Sequence, residues 1–170
     1  NIFKEFASQI RGSVILPNDS NFEESRKVYN AMIDKHSGII VKCVDVADLI
    51  YAVNFGRQNH LLVAVRGVGH NGGGLGLCND GLVIDLSCLK SIRVNTKDNT
   101  VRVGGGNLLG EVDHATHPFG LAVPAGIIST TGIGGLTLGG GVGHLSRKYG
   151  LSIDNLLEAD MVLADGTFVT

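Results

Sequence analysis

The chain has 170 residues, enough for one ordinary domain with a real core, and Gly, Asp, Asn or Arg interrupts every apolar run short of a membrane-spanning length. Its formal net charge is −2, with Lys and Arg scattered and no basic stripe, which leaves nucleic-acid binding without electrostatic support. A soluble globular protein is expected, with neither nucleic acid nor membrane as partner.

The opening NIFKEFASQIRGS has no continuous apolar segment of the secretory kind. Cys43, Cys78 and Cys88 are an odd number without metal-like spacing, so neither a disulfide framework nor a metal site is expected. Free thiols in a cytoplasmic setting are the simplest expectation.

Residues 1–36 read as a helical lead-in. Asn21 with Glu24 resembles a capping box, and Phe22, Ser25, Val28, Tyr29, Met32 and Ile33 fall on one helical face. GIIVKCV (38–44) then predicts a strand, Asp45 with Asp48 a helix cap, and LLVAV (61–65) a second buried strand. Helix, strand, helix, strand predicts a right-handed crossover and a small parallel sheet.

Further on, LVIDL (82–86), SIRVN (91–95) and TVRVGG (100–105) are strand-like, with a turn at Lys97-Asp98-Asn99. LLGEVDHATHPFG (108–120) predicts a short helix closed by Pro118 and Gly120, and NLLEADMVLADGTFVT predicts strand, Asp-Gly turn, strand. The last strand has barely begun at Thr170, so a longer natural polypeptide is expected.

Glycine is the exceptional residue: 25 in the chain, twenty of them between Gly67 and Gly143. Gly67-Val68-Gly69-His70-Asn71-Gly72 fits the G-x-G-x-x-G pattern after a strand, and Asp85 stands near the distance of a ribose-binding acid. That fold, however, needs a helix to open directly from the loop, and Gly72, Gly73, Gly74 and Gly76 occupy its first turn. No dinucleotide helix forms there. Successive glycines still let backbone N–H groups converge on an anion as a nest, and Arg66 stands beside them, either adding charge or solvated.

A second stretch, PAGIISTTGIGGLTLGGGVGHLSRKYGLSIDN (124–155), holds a Pro-Ala-Gly turn, hydroxyls at Ser129, Thr130 and Thr131, and two glycine clusters. Two such loops suit an extended ligand with a central diphosphate.

RGVGHNGGGLG, PAGIISTTGIGGLTLGGG and GHLSRKYGLSIDN, in this order and spacing, resemble the PCMH-type FAD-binding domain of the berberine bridge enzyme-like oxidases, in the vanillyl-alcohol oxidase superfamily. The resemblance runs from about Ser37 to Thr170. It implies an α+β fold, a small parallel sheet with flanking helices plus a larger, mainly antiparallel sheet, over residues 37–170. It also implies that Arg66, Gly67, Val68, Gly69, His70 and Asn71 form the loop around the FAD diphosphate, with His70 joined covalently to the flavin 8α carbon. Some members carry a cysteine, linked to flavin carbon 6, at the position of Ile128 here, so single attachment is expected.

Pro124, Gly126, Ser129, Thr130, Thr131, Gly132, Gly135, Leu136, Gly140 and Gly143 match the second flavin-contacting segment. His144 and Tyr149 are weaker candidates, Tyr149 reading more readily as packing than as a flavin contact. His36, His60, His114 and His117 read as surface or capping residues.

Relatives of this kind have a substrate domain beyond the flavin domain, so no catalytic residue is assigned. The whole protein is expected to take hydride from a small organic substrate onto FAD, with dioxygen reoxidising the flavin. A non-enzymatic flavin-binding fragment and a noncovalent FAD reductase of the same fold are the alternatives. An unpaired sheet edge is expected where the missing part would pair.

Overall fold

In the structure, a computed structural model that describes residues 2–170, a first unit runs to Cys88 and takes in Ala159–Thr170. Its elements are α1 (Ile2–Gln9), β1 (Ser13–Ile15), α2 (Phe22–Ser25), β2 (Ile39–Lys42), α3 (Val46–Gln58), β3 (Val63–Arg66) and β4 (Leu82–Asp85). They build a four-stranded sheet in the order β1-β2-β4-β3. β2 and β3 both lie parallel to β4, while β1 runs antiparallel to β2.

The two central strands are short apolar runs because both their faces are covered. Ile39, Val41, Leu82 and Ile84 point to one side, packed with Phe6, Ile10, Cys43, Ala52 and Phe55 from α1, α3 and the connections. Ile40 and Val83 point to the other, with Ile15, Phe22, Ala64, Leu77 and Cys78. Each Val, Leu, Ile or Phe side chain among them contributes roughly 1.5–3 kcal/mol through burial. Phe6 and Phe55 stack with centroids 3.9 Å apart and fasten α1 to α3.

The Asp45 carboxylate accepts the N–H of Asp48 at 3.0 Å and starts α3, as its place before an apolar run predicts. Asp48 itself is buried, and its carboxylate accepts the N–H groups of Arg11, Gly12 and Val44 at 2.8, 3.0 and 3.0 Å. One side chain thus ties the lead-in to the end of β2.

Burial pushes the Cys43 thiol up to about 12, and burial also raises that of Cys78. Cys88 is exposed, and all three are free thiols. Such raised thiols are packing residues rather than nucleophiles.

Three expectations change. The helix expected over 21–33 stops after Ser25, Asn21 makes no side-chain cap bond, and Tyr29 and Met32 are exposed. β3 begins at Val63 rather than Leu61, and its alternating exposure marks an edge strand, not one buried on both faces. β1 lacks any expected counterpart.

The second unit, Leu89–Glu158, opens with a hairpin of β5 (Ile92–Asn95) and β6 (Thr100–Val103) about the expected turn, Asn99 standing at φ 52°. α4 (Leu109–Thr116) follows, then a short 3-10 turn ended by Gly120 at φ 67°. The glycine-rich stretch contains two short helices, α5 (Ile133–Leu138) and α6 (Ser146–Tyr149), where loops alone were expected. Back in the first unit, β7 (Met161–Val162) pairs antiparallel with β8 (Phe168–Val169) across the Asp-Gly turn. The antiparallel part is thus present as two separate hairpins, in addition to the parallel-containing sheet, within the expected α+β class. No helix among the described residues is long and apolar enough to cross a membrane.

Candidate functional site

The first loop leaves the sheet from Arg66, the last residue of β3. Arg66 is buried, and its guanidinium pairs with Asp85, its ladder partner on β4, while also donating to the Ser25 carbonyl at 2.7 Å. Of the two readings of Arg66, solvated or phosphate-facing, neither describes its side chain: the charge is neutralised inside the protein. The same pair explains why Asp85 is no ribose-binding acid. Its second oxygen accepts the Ser87 N–H at 2.8 Å.

Gly67, Val68, Gly69, His70 and Asn71 follow, and several carbonyl groups between Gly69 and Leu77 are tied to residues 29–35. Tyr29 N–H donates to the Gly69 carbonyl at 3.0 Å, and Asn30 Nδ2 to the Gly72 carbonyl at 2.8 Å. Lys35 Nζ reaches the Gly74 and Leu77 carbonyls at 2.8 and 3.0 Å. Asn71 Oδ1 accepts Leu75 N–H at 3.0 Å, closing the turn. Gly74 stands at φ +68°, and a Cβ there would lie 2.6 Å from Ile33, so the loop and the strap of residues 26–36 meet with no room for a side chain.

The N–H groups are treated differently. From Gly67 through Gly73, none donates a hydrogen bond to another group among the described residues. Gly72 faces open space, a Cβ there meeting nothing within 4 Å. His70 is half-buried, its ring stacked on Tyr29 at 4.2 Å between centroids.

The second loop, in the other unit, repeats this asymmetry. The Ser129 and Thr131 carbonyls accept the N–H groups of Gly110 and Leu109, each at 2.9 Å, so the start of α4 fastens the loop. Glu111 supports that start, accepting Leu108 N–H at 2.7 Å, and its bond from Lys90 holds its carboxyl below the usual range. The N–H groups of Gly126 through Thr130 again donate to no described residue. The hydroxyls of Ser129, Thr130 and Thr131 have no partner among the described residues, and Ser129 and Thr130 are exposed.

Gly132 leads into α5, where Gly135 also faces open space and Leu136 packs over Gly126. Pro124 and Gly140 are half-buried. At Gly143 an added Cβ would sit 1.7 Å from the Ala125 carbonyl oxygen, so the two backbones touch. His144 and Tyr149 are exposed, and Lys148 Nζ lies 5.0 Å over the Tyr149 ring. His36, His60, His114 and His117 are exposed, as expected of surface residues.

Each loop by itself, with backbone donors that meet no partner among the described residues and with open space at Gly72 in the first and Gly135 after the second, fits a phosphate-bearing ligand. An open cleft of about 400 Å³ beside Asp113, His114 and His117 shares no residue with either loop. Residues 38–170 match the sequence profile of the FAD binding domain family.

The chain belongs to that family. As an FAD binding domain it is 37% identical over 158 residues to an uncharacterized FAD-linked oxidoreductase of Bacillus subtilis (strain 168), covering 93% of this chain and 35% of that protein. It superposes on the crystal structure of 6-hydroxy-D-nicotine oxidase from Arthrobacter nicotinovorans with a TM-score of 0.92 at 36% identity, covering 94% of this chain and 35% of that one. For the BBE-like 1 protein of Physcomitrella patens the TM-score is 0.91 at 34% identity, covering 98% of this chain and 37% of that one. The chain thus spans about a third of the length of the proteins it matches. The resemblance to berberine bridge enzyme-like oxidases holds, and FAD is the ligand of this domain.

Sequence reading missed Tyr29, Asn30 and Lys35, which hold the first loop. No local signal marks them, since their partners lie about forty residues away, as in the pair Asn30 and Gly72. A helical reading of 21–33 hid Tyr29 and Asn30 further.

Proposed function

We propose that this chain is the FAD-binding part of a flavin-dependent oxidase, that FAD is attached through His70 alone, and that dioxygen reoxidises the reduced flavin. The observation that carries the reading is the unpaired run of N–H groups from Gly67 through Gly73, with a half-buried imidazole in its midst. Those N–H groups would hold the diphosphate.

A neutral imidazole nitrogen is a competent nucleophile, and no residue of the described chain neutralises or blocks His70 by an ion pair. Ile128 offers no sulfur for a second link. When bound, FAD supplies a ring able to accept hydride from an organic substrate. This chain's share of the work is to bind and orient that ring, while contacts to the substrate belong to the part of the protein outside it.

The oxidase reading is tested on the full-length protein by anaerobic mixing with small alcohols, sugars and amines, followed by air. Bleaching of the flavin by one of them, with recovery of colour under dioxygen, is expected. Bleaching by NADPH alone, with all flavin released by acid, would replace it with the noncovalent reductase reading.

A further inference from the structure

We infer that Tyr29 is the positioning residue for His70: it fixes the imidazole for bond formation while taking no part in binding the cofactor. This rests on the covalent attachment proposed above. Two independent contacts support it. The Tyr29 N–H donates to the Gly69 carbonyl at 3.0 Å, fixing the backbone just before His70, and the Tyr29 ring stacks on the imidazole at 4.2 Å and 17°. The neighbouring Asn30 anchors Gly72 on the other side of His70. Loop backbone and imidazole plane are therefore set by one short strap.

The exposure of Tyr29 argues against a packing role. With 71% of its surface in solvent, an aromatic ring contributes little to the core, and its one ring partner among the described residues is His70. Val28 and Ile33, on either side of it in the strap, carry the packing against the core instead.

The chemistry explains why orientation matters. Attachment forms a C–N bond between an imidazole nitrogen and the flavin 8α carbon and breaks one 8α C–H bond and the imidazole N–H. Two electrons are left on the flavin ring and pass, with the two protons, to dioxygen as hydrogen peroxide. A nucleophile that swings freely reaches the carbon in few of its orientations, and a misplacement of about 1 Å can cost on the order of a hundredfold in rate. A flat ring against the imidazole removes that freedom.

The test compares wild type, Tyr29→Phe and Tyr29→Ala, each apoprotein being mixed with FAD in air. Attachment is followed by denaturing mass spectrometry, noncovalent FAD affinity is measured in a His70→Ala background, and the His70 ring protons are followed by NMR. Tyr29→Phe should attach FAD at the wild-type rate, and Tyr29→Ala about tenfold to a hundredfold more slowly. Tyr29→Ala should also shift the His70 ring protons downfield as the ring current is lost, with FAD affinity unchanged. Attachment by Tyr29→Ala at the wild-type rate would overturn the inference and leave the covalent link standing, as would a loss of FAD affinity equal to the loss of rate. No adduct in wild type would overturn both the link and the role given to Tyr29.

Discussion

Asp85→Ala is expected to destabilise the chain by about 3–5 kcal/mol, because it leaves the Arg66 guanidinium buried without a counter-charge. Arg66 is 6% exposed, so water cannot replace the carboxylate. The loss is a large share of the roughly 5–15 kcal/mol that holds a domain folded. Urea unfolding followed by circular dichroism reads it as a lower midpoint.

The double replacement Arg66→Met with Asp85→Leu should cost less than Asp85→Ala alone, since no charge is then stranded. A midpoint for Asp85→Ala within error of wild type would mean that the pair is solvated in solution. The pair also acts beyond the sheet. Through the Ser25 carbonyl, Arg66 holds the start of the strap that in turn holds the glycine loop, so its loss should loosen the loop as well as the core.

The second large effect concerns two glycines of the other loop. Gly143→Ala places a methyl 1.7 Å from the Ala125 carbonyl oxygen, a backbone atom that moves only with the whole Pro124–Gly126 turn. A cost of about 1–3 kcal/mol or more is expected from overpacking, together with loss of FAD retention. Gly135→Ala is the informative contrast: a Cβ there meets nothing within 4 Å, and Ala is favoured over Gly inside a helix by about 0.8–1.0 kcal/mol.

Gly135→Ala should therefore fold at least as well as wild type and still bind FAD more weakly, if ligand fills the open space. Thermal unfolding of the apoprotein and fluorescence titration with FAD separate the two effects. Unchanged FAD affinity in Gly135→Ala would remove that glycine from the binding surface.

How much was legible depended on whether the cause was local. Asp45 and Asp48 announce α3 because a cap and its helix are adjacent in sequence. The apolar run at 82–86 announces β4 because burial on both faces needs nothing but apolar side chains. The strap at 26–36 was illegible for the opposite reason. Val28, Tyr29, Met32 and Ile33 carry helical spacing, but only Val28 and Ile33 pack inward, while Tyr29 is held by His70 and Asn30 by Gly72.

Bonds to a loop some forty residues away outweigh a weak helical periodicity, and no local pattern reports them. β1, three residues long, gains its place by pairing with β2 and burying Ile15. The glycine runs mark both loops as candidates for anion binding, since successive glycines let backbone N–H groups converge. What composition concealed is the division of labour within them, with carbonyl groups tied to the scaffold and N–H groups left over.

The central claim is a flavin held through His70, and the most direct test is the intact mass of the denatured protein after incubation with FAD in air, beside His70→Ala. One added FAD in the wild type and none in the variant is the expected result. An unshifted wild-type mass, in this chain and in the full-length protein alike, would contradict it.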